Sequence, residues 1–305
     1  MSKEDEFKSG YIALIGRPNV GKSTLMNRLI GFKVAITSAK PQTTRNRILT
    51  VYTDDEAQMV FLDTPGIHEA TTALGDFMMQ EATSVLNDAD VILWLVEPDP
   101  YIGEKEERVI KLLEKSLKPV LLIINKADQV TEERLDVVKA AFAEKASFAE
   151  AYSVSALKGI GTDALLGKIK QMLPYGPPFY EEDTLTDLPE RDIVAEIIRE
   201  KALRNLKDEV PHGIAVTIER MREREGRDDG LVDIEATIIC EKDSHKGIVI
   251  GKGGAMLKRI GADARKDIEK LLETKVFLKI FVKVRRDWKD NPAMLNGFGY
   301  RAGRR

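Results

Sequence analysis

Gly16-Arg17-Pro18-Asn19-Val20-Gly21-Lys22-Ser23, followed by Thr24, fits the spacing GxxxxGK[ST]. Glycines at those places let backbone N–H groups curl around phosphate oxygens, and a helix that starts there turns its positive end toward them. Lys22 then reaches the β- and γ-phosphates, and the Ser23 hydroxyl binds the Mg²⁺ that bridges them. About forty residues on, Asp63-Thr64-Pro65-Gly66 supplies a carboxylate that holds the metal through water and an amide, at Gly66, for the γ-phosphate. Taken alone, Asp-Thr-Pro-Gly is also a good turn sequence.

Asn125-Lys126-Ala127-Asp128 follows a run of apolar residues, Val120–Ile124. A carboxylate at Asp128 can accept from guanine N1–H and its 2-amino group; adenine offers no such pair, so this residue can reject ATP. Asn125 ties its loop to the phosphate loop, Lys126 lies along the base, and Ser155-Ala156-Leu157 offers backbone donors to guanine O6. Directly after Gly66 stands Ile67, which cannot orient a water molecule as a glutamine there would. His68 is either a solvent-facing residue or a contact to that water.

A second glycine pair lies far downstream. Gly251-Lys252-Gly253-Gly254, after Ile248-Val249-Ile250, is a GxxG loop. Positions without side chains let the chain approach a sugar-phosphate backbone, and Lys252 adds charge. Residues 181–241 carry a net charge of −9 and residues 242–305 one of +10. The basic excess therefore falls in the half that holds the GxxG loop. Lys246, Ile250, Gly251, Lys252, Gly253, Gly254, Lys258, Arg259, Lys283, Arg285 and Arg286 are the candidate RNA contacts. Trp288 and the tail Phe298-Gly299-Tyr300-Arg301 suit either base stacking or core packing.

The elements that must position these residues are legible. Tyr11–Gly16, Arg47–Thr53, Ala57–Asp63, Ala89–Val96, Pro119–Asn125 and Ala149–Ser155 read as strands, with helices at 21–29 and near 104–117, 131–146 and 162–173. Continuous apolar strands alternating with helices predict a mainly parallel sheet covered on both faces, with one antiparallel hairpin turning at Asp54-Asp55. Leu173-Pro174-Tyr175-Gly176-Pro177-Pro178 ends that pattern, and Glu181–Glu190, with five acids and no base, predicts a solvated linker. Beyond it the order becomes α-β-β-α-α-β: helix 192–209, strands 213–221 and 231–240 around a turn at 225–230, helices 244–250 and 254–273, strand 275–284. The predicted layout is a nucleotide domain over 1–176, a linker over 177–190 and an RNA-binding domain with a basic tail over 191–305.

Composition limits the alternatives. The chain has 305 residues, 43% of them apolar and 32% charged, enough for two cores, with a net charge of −3. A single cysteine, Cys240, excludes an internal disulfide framework and a cysteine-pair zinc site, and fits a reducing compartment. No apolar run approaches the ~20 residues of a membrane helix, and the first residues lack the basic-then-apolar form of a signal peptide. These features predict a cytoplasmic protein.

The three upstream motifs, in this order, resemble the translation-factor class of GTPases, and 37–47 resembles the first switch of the TrmE-Era-EngA-like group. In that group the Thr just before Arg, here Thr44, closes onto Mg²⁺ and the γ-phosphate; Thr43 is the rival. With the downstream GxxG domain the resemblance narrows to the Era family. It implies an α/β P-loop NTPase G domain with a mixed, mainly parallel sheet, followed by an α+β type II KH domain. It further implies a slow, Mg²⁺-dependent GTPase cycling between GTP and GDP, with Lys22, Thr44, Asp63 and Gly66 in catalysis. Its partners would be 16S rRNA near the 3′ end and the small ribosomal subunit, in 30S assembly, as a monomer with loose peripheral membrane association. Several relatives carry an asparagine at the place of Asn19, where it helps bind K⁺ beside the phosphates. The alternative is a constitutive RNA-binding adaptor whose G domain holds nucleotide without cycling.

Overall fold

The computed structural model describes residues 6–38, 40, 42–207, 210–224 and 230–300. The predicted turn at 225–230 therefore lies outside the described residues except for Gly230, as does Arg301. The chain divides into two units. The first comprises residues up to Ala35, Thr44–Thr71 and Gly75–Asp187; the second comprises Ile36–Thr43, Thr72–Leu74 and Leu188 onward.

In the first unit, β1 (Lys8–Ile15), β2 (Ile48–Thr53), β3 (Ala57–Asp63), β4 (Val91–Val96), β5 (Val120–Ile124) and β6 (Glu150–Ser153) form one sheet in the order β2-β3-β1-β4-β5-β6. Every pairing is parallel except β2 with β3, the predicted hairpin. The central strands are buried along their length because helices cover both faces, which is why Val-Ile-Leu-Trp-Leu-Val in β4 shows no alternation. Trp94 of β4 packs edge-on against Phe142, with ring centroids 5.2 Å apart. Helices α1 (Lys22–Ile30), α2 (Ala73–Asp88), α3 (Glu104–Leu113), α4 (Glu132–Ala143) and α5 (Thr162–Met172) alternate with the strands. Helix α2 is absent from the sequence reading, although buried Leu74, Phe77, Met78, Ala82, Val85 and Leu86 recur at helical spacing. The turn signals around Asp63–Gly66 mask where that periodicity begins.

The stretch 177–187 is exposed along most of its length, as a solvated linker is, but its backbone is also docked on the sheet. Gln58 Oε1 accepts from the amides of Phe179 (2.7 Å) and Tyr180 (2.9 Å), and Phe179 stacks on Tyr11 at 5.0 Å. Val51 donates to Leu185 O at 2.9 Å, and Thr186 Oγ1 to Leu49 O at 2.6 Å. The acidic side chains stay in solvent while the backbone of the segment satisfies the otherwise open edge of β2, a role that side-chain composition does not show.

In the second unit, α6 (Glu190–Asn205), β7 (Ile214–Glu223), β8 (Val232–Cys240), α7 (Asp243–Ile250), α8 (Ala255–Leu271), β9 (Val276–Val284) and the short α9 (Pro292–Gly297) follow in order. The sheet is β7-β8-β9, with β7 antiparallel and β9 parallel to β8. Its inner face carries Ile234, Ala236 and Ile238, packed with Ile193, Ile197, Val249, Ile260, Ala264 and Ile268 from the helices. Trp288 belongs to the interior: it is fully buried, donates through Nε1 to Gly213 O at 3.2 Å and stacks on Tyr300. Of the two readings left open for these aromatics, core packing is the one observed.

Candidate functional site: a phosphate loop and a GxxG loop

All the upstream motifs sit at one edge of the six-stranded sheet because each follows the C-terminal end of a parallel strand: 16–23 after β1, 63–67 after β3, 125–128 after β5 and 155–157 after β6. Such edges gather loops from adjacent strands and are where ligands bind in open α/β sheets. The loop 16–23 leads straight into α1, whose Gly21 has a left-handed φ of 99°.

Three hydroxyl or carboxylate groups meet beside it. Ser23 Oγ donates to Asp63 Oδ2 at 2.5 Å and lies 2.9 Å from Thr44 Oγ1, which is 3.4 Å from the same carboxylate oxygen. Thr43 points elsewhere, donating to Lys40 O at 2.6 Å. Asp63 is fully buried and its Oδ1 has no hydrogen-bond partner among the described residues. Burial raises the Asp63 pKa, while Lys22, Ser23 and Thr44 pull it down. An orphaned buried carboxylate oxygen among two hydroxyls is a hard-oxygen donor set, the chemistry Mg²⁺ takes when phosphate completes its shell. Ser23, Thr44 and Asp63 therefore fit the metal.

Lys22 is buried too. Its ammonium donates to Gly16 O at 3.2 Å and Arg17 O at 3.3 Å, and burial lowers its pKa to about 8 against the opposing pull of Asp63 and Glu106. Gly66 packs directly on the loop, where an added Cβ would lie 2.6 Å from the Pro18 nitrogen. Ile67 is buried and donates its amide to Gly16 O at 3.1 Å; Thr64 Oγ1 anchors the turn on Leu14 O. His68 turns Nδ1 to Gly66 O at 2.7 Å.

Asn125 joins three loops. Its Nδ2 donates to Val20 O at 2.8 Å, and its Oδ1 accepts from Ala156 N at 3.0 Å. Lys126 has a left-handed φ of 61°, and Ala127 N bonds Val154 O. The Asp128 carboxylate is held below its usual range by hydrogen bonds from Ser155 and from Lys158, whose Nζ lies 3.1 Å away. Leu157 is largely exposed beside it, and Arg28 braces the carbonyls of Ala156 and Leu157. Asn19 has a φ of 67°, and Thr24 is half-buried in the first turn of α1.

In the second unit the GxxG loop joins α7 to α8. Gly251 has a φ of 72°, and a Cβ there would collide with Met256. Gly253 (φ 59°) and Gly254 (φ 81°) face open space, with nothing within 4 Å of an added Cβ. Lys252, Lys258 and Arg259 are exposed, Lys246 and Ile250 half-buried, and both α7 and α8 lie against β9. Lys283 and Arg285 are exposed on and just after β9; Arg286 is drawn to the first turn of α7 by Asp243 at 3.2 Å.

The comparisons with known proteins agree with this geometry. Residues 11–126 match the family described as 50S ribosome-binding GTPase, and residues 209–289 match the KH domain. The chain is 52% identical over 297 residues to the GTPase Era of Geotalea uraniireducens, covering 97% of this chain and 99% of that one. It is 49% identical over 295 residues to the GTPase Era of Clostridium botulinum, strain Alaska E43, with the same coverage. The chain belongs to the Era family of GTPases. Two solved members superpose with a TM-score of 0.92 over 96% of this chain and 99% of theirs. One, 40% identical, is Era with MgGDPNP and nucleotides 1506–1542 of 16S ribosomal RNA; the other, 39% identical, is a tyrosine-to-alanine variant of Aquifex aeolicus Era with GDP and AlF₄⁻. The family's fold is the one found here, a G domain with a mixed, mostly parallel sheet followed by a KH domain.

Some residues at these sites carry no motif. Glu97, just past β4, pairs with Arg17 at 2.6 Å and with Lys126, so it links the loop 16–23 to the loop 125–128. Glu106 holds Arg17 from the other side at 2.8 Å, and burial raises its pKa against the pull of Arg17. The position of Glu97 at the C-terminal end of a parallel strand was the available signal. On β9 the exposed residues are Phe277, Lys279, Phe281 and Lys283, and Lys279 Nζ lies 4.8 Å from the Phe281 ring centre. The alternation of that strand is legible as a sequence, but not that its aromatics face outward.

Proposed function

We propose that this chain hydrolyses GTP as a Mg²⁺-dependent switch and binds single-stranded RNA at the 3′ end of 16S rRNA through its KH domain, acting in assembly of the small ribosomal subunit. The observation that carries this reading is the meeting of Ser23, Thr44 and Asp63 beside a buried Lys22, with Asp128 at the same sheet edge. Lys22 would leave the Gly16 and Arg17 carbonyls for the β- and γ-phosphates, a move its lowered pKa favours because phosphate restores the charge. Mg²⁺ would neutralise the charge that develops on the phosphate oxygens. Asp128 would exchange Lys158 for the guanine edge.

Ile67 is buried and cannot orient a water molecule as a glutamine would, while His68 turns Nδ1 to Gly66 O and its buried Nε2 has no hydrogen-bond partner among the described residues. Arg17 is committed to Glu97 and Glu106. A slow intrinsic rate follows, and the amide oxygen chemistry of Asn19 suits a K⁺ ion beside the phosphates. Equal hydrolysis in KCl and NaCl would remove the K⁺ assignment. The remaining parts of the reading are a cytoplasmic monomer whose partner is the small subunit, with any membrane contact peripheral; among the described residues no helix is long and apolar enough to cross a membrane.

The test is affinity for a short oligomer of the 16S rRNA 3′ end against a scrambled one, with a non-hydrolysable GTP analogue and with GDP, at one salt concentration. Preference that weakens with GDP supports the switch. Preference indifferent to nucleotide favours the adaptor, and no preference overturns the RNA assignment.

A further inference from the structure

The sheet order places β4 between β1 and β5. The loop 16–23 follows β1 and the loop 125–128 follows β5, so they leave strands about 10 Å apart, on either side of the end of β4. Glu97 is the first residue past that end. Its carboxylate gives one oxygen to each neighbour: Oε2 accepts from Arg17 Nη2 at 2.6 Å, and Oε1 accepts from Lys126 Nζ. All three residues belong to the first unit.

Both partners are held in place by more than their own backbone. Lys126 has a left-handed φ of 61°, which is disfavoured for a residue that carries a Cβ. Arg17 is drawn the other way by Glu106 of α3, with Nε to Oε1 at 2.8 Å, and Glu106 is buried. Two cations within reach of one carboxylate would repel each other without it, so Glu97 turns a repulsion between the loops into an attraction.

One nucleotide has to meet both loops, its phosphates on the first and its base on the second. Loops already held at the right separation spare the ligand the cost of ordering them. We infer that Glu97 is a positioning residue for guanine-nucleotide binding: it bridges Arg17 and Lys126 and so sets the spacing of the phosphate loop and the base loop. The inference rests on the GTPase reading above and adds to it a determinant of affinity that lies outside its motifs.

The experiment uses the full chain and three proteins: wild type, Glu97→Gln, which keeps the shape and loses the charge, and Glu106→Gln, which leaves the Glu97 bridge in place. GDP affinity, KM and kcat for GTP, and thermal melting are measured on each, at low salt and with about 0.5 M choline chloride added over constant KCl. Glu97→Gln should bind GDP about fivefold more weakly and raise the GTP KM alike, the modest size expected of half-exposed ion pairs. Its kcat should stay within about twofold, because ground state and transition state lose the same binding. At high salt, which already screens the bridge, its gap from wild type should shrink below about twofold. Glu106→Gln should melt lower, since it uncouples a buried charge pair, and bind GDP within about twofold of wild type.

The inference is overturned if Glu97→Gln binds GDP like wild type at low salt. It is also overturned if affinity falls by the same factor at both salts with kcat and melting falling too, as a general loss of stability would produce. Equal weakening by Glu106→Gln overturns it as well, because the effect would then follow Arg17 and not the bridge; if that variant does not fold, the two salts on Glu97→Gln decide. Should wild type itself fail to prefer GDP over ADP, the nucleotide reading falls, and that is seen in the first sample.

Discussion

Two glycine-bearing loops in this chain, both proposed above to meet phosphate, lie in opposite surroundings. The loop 16–23 is enclosed: Lys22 is buried against its own carbonyls, Asn125 is tied to Val20, and Gly66 has no room for a methyl group beside Pro18. The loop 251–254 is open, with Lys252 and Gly253 exposed and, among the described residues, nothing within 4 Å of a Cβ added at Gly253 or Gly254. Enclosure makes each interaction strong and geometrically exacting, because charges act at short range in a dry site. Openness gives access to an extended backbone at the expense of strength per contact, since exposed charges are screened by salt. The first loop suits one small ligand read in detail; the second suits a polymer gripped at several points.

Lys22→Ala should break the enclosed loop most severely. GTP hydrolysis should fall by roughly a thousandfold while RNA affinity without nucleotide stays at the wild-type value, measured by single-turnover assay and by titration of the 16S oligomer. Asp128→Asn comes next. Removing the acceptor pair should cut the preference for GTP over ATP by roughly a hundredfold, read from competition binding.

Gly253→Asp tests the open loop from the other side. Its left-handed φ strains any side chain, and a carboxylate there faces incoming phosphate; RNA affinity should drop about tenfold with hydrolysis spared. Unchanged RNA affinity would mean that the loop is not the clamp.

The smallest effect is a proton. Burial holds Lys22 near pKa 8, so at pH 8.5 most of the free protein has a neutral amine. Nucleotide phosphates favour the ammonium, so binding at pH 8.5 should take up a fraction of a proton, and binding at pH 7, where the ammonium already predominates, much less. Calorimetry in buffers of different ionisation enthalpy measures this, and Lys22→Ala should abolish it.

The sequence alone determined the chemistry that is local. A loop that wraps an anion needs its glycines, lysine and hydroxyl within a few residues of one another, so 16–23, 63–66, 125–128 and 251–254 were legible, as was the α-β-β-α-α-β order behind the last of them. Only the tertiary structure decided what depends on pairs far apart in the chain. It turned Thr44 rather than Thr43 to Ser23 and Asp63, set Glu97 between Arg17 and Lys126, and laid 177–187 along β2. It also buried Trp288 and gave Thr37, Gln42 and Thr43 their hydrogen bonds to α6. Such partners are chosen by which strand edge lacks hydrogen bonds and which buried charge lacks a counterpart, and neither need leaves a fixed spacing in the sequence.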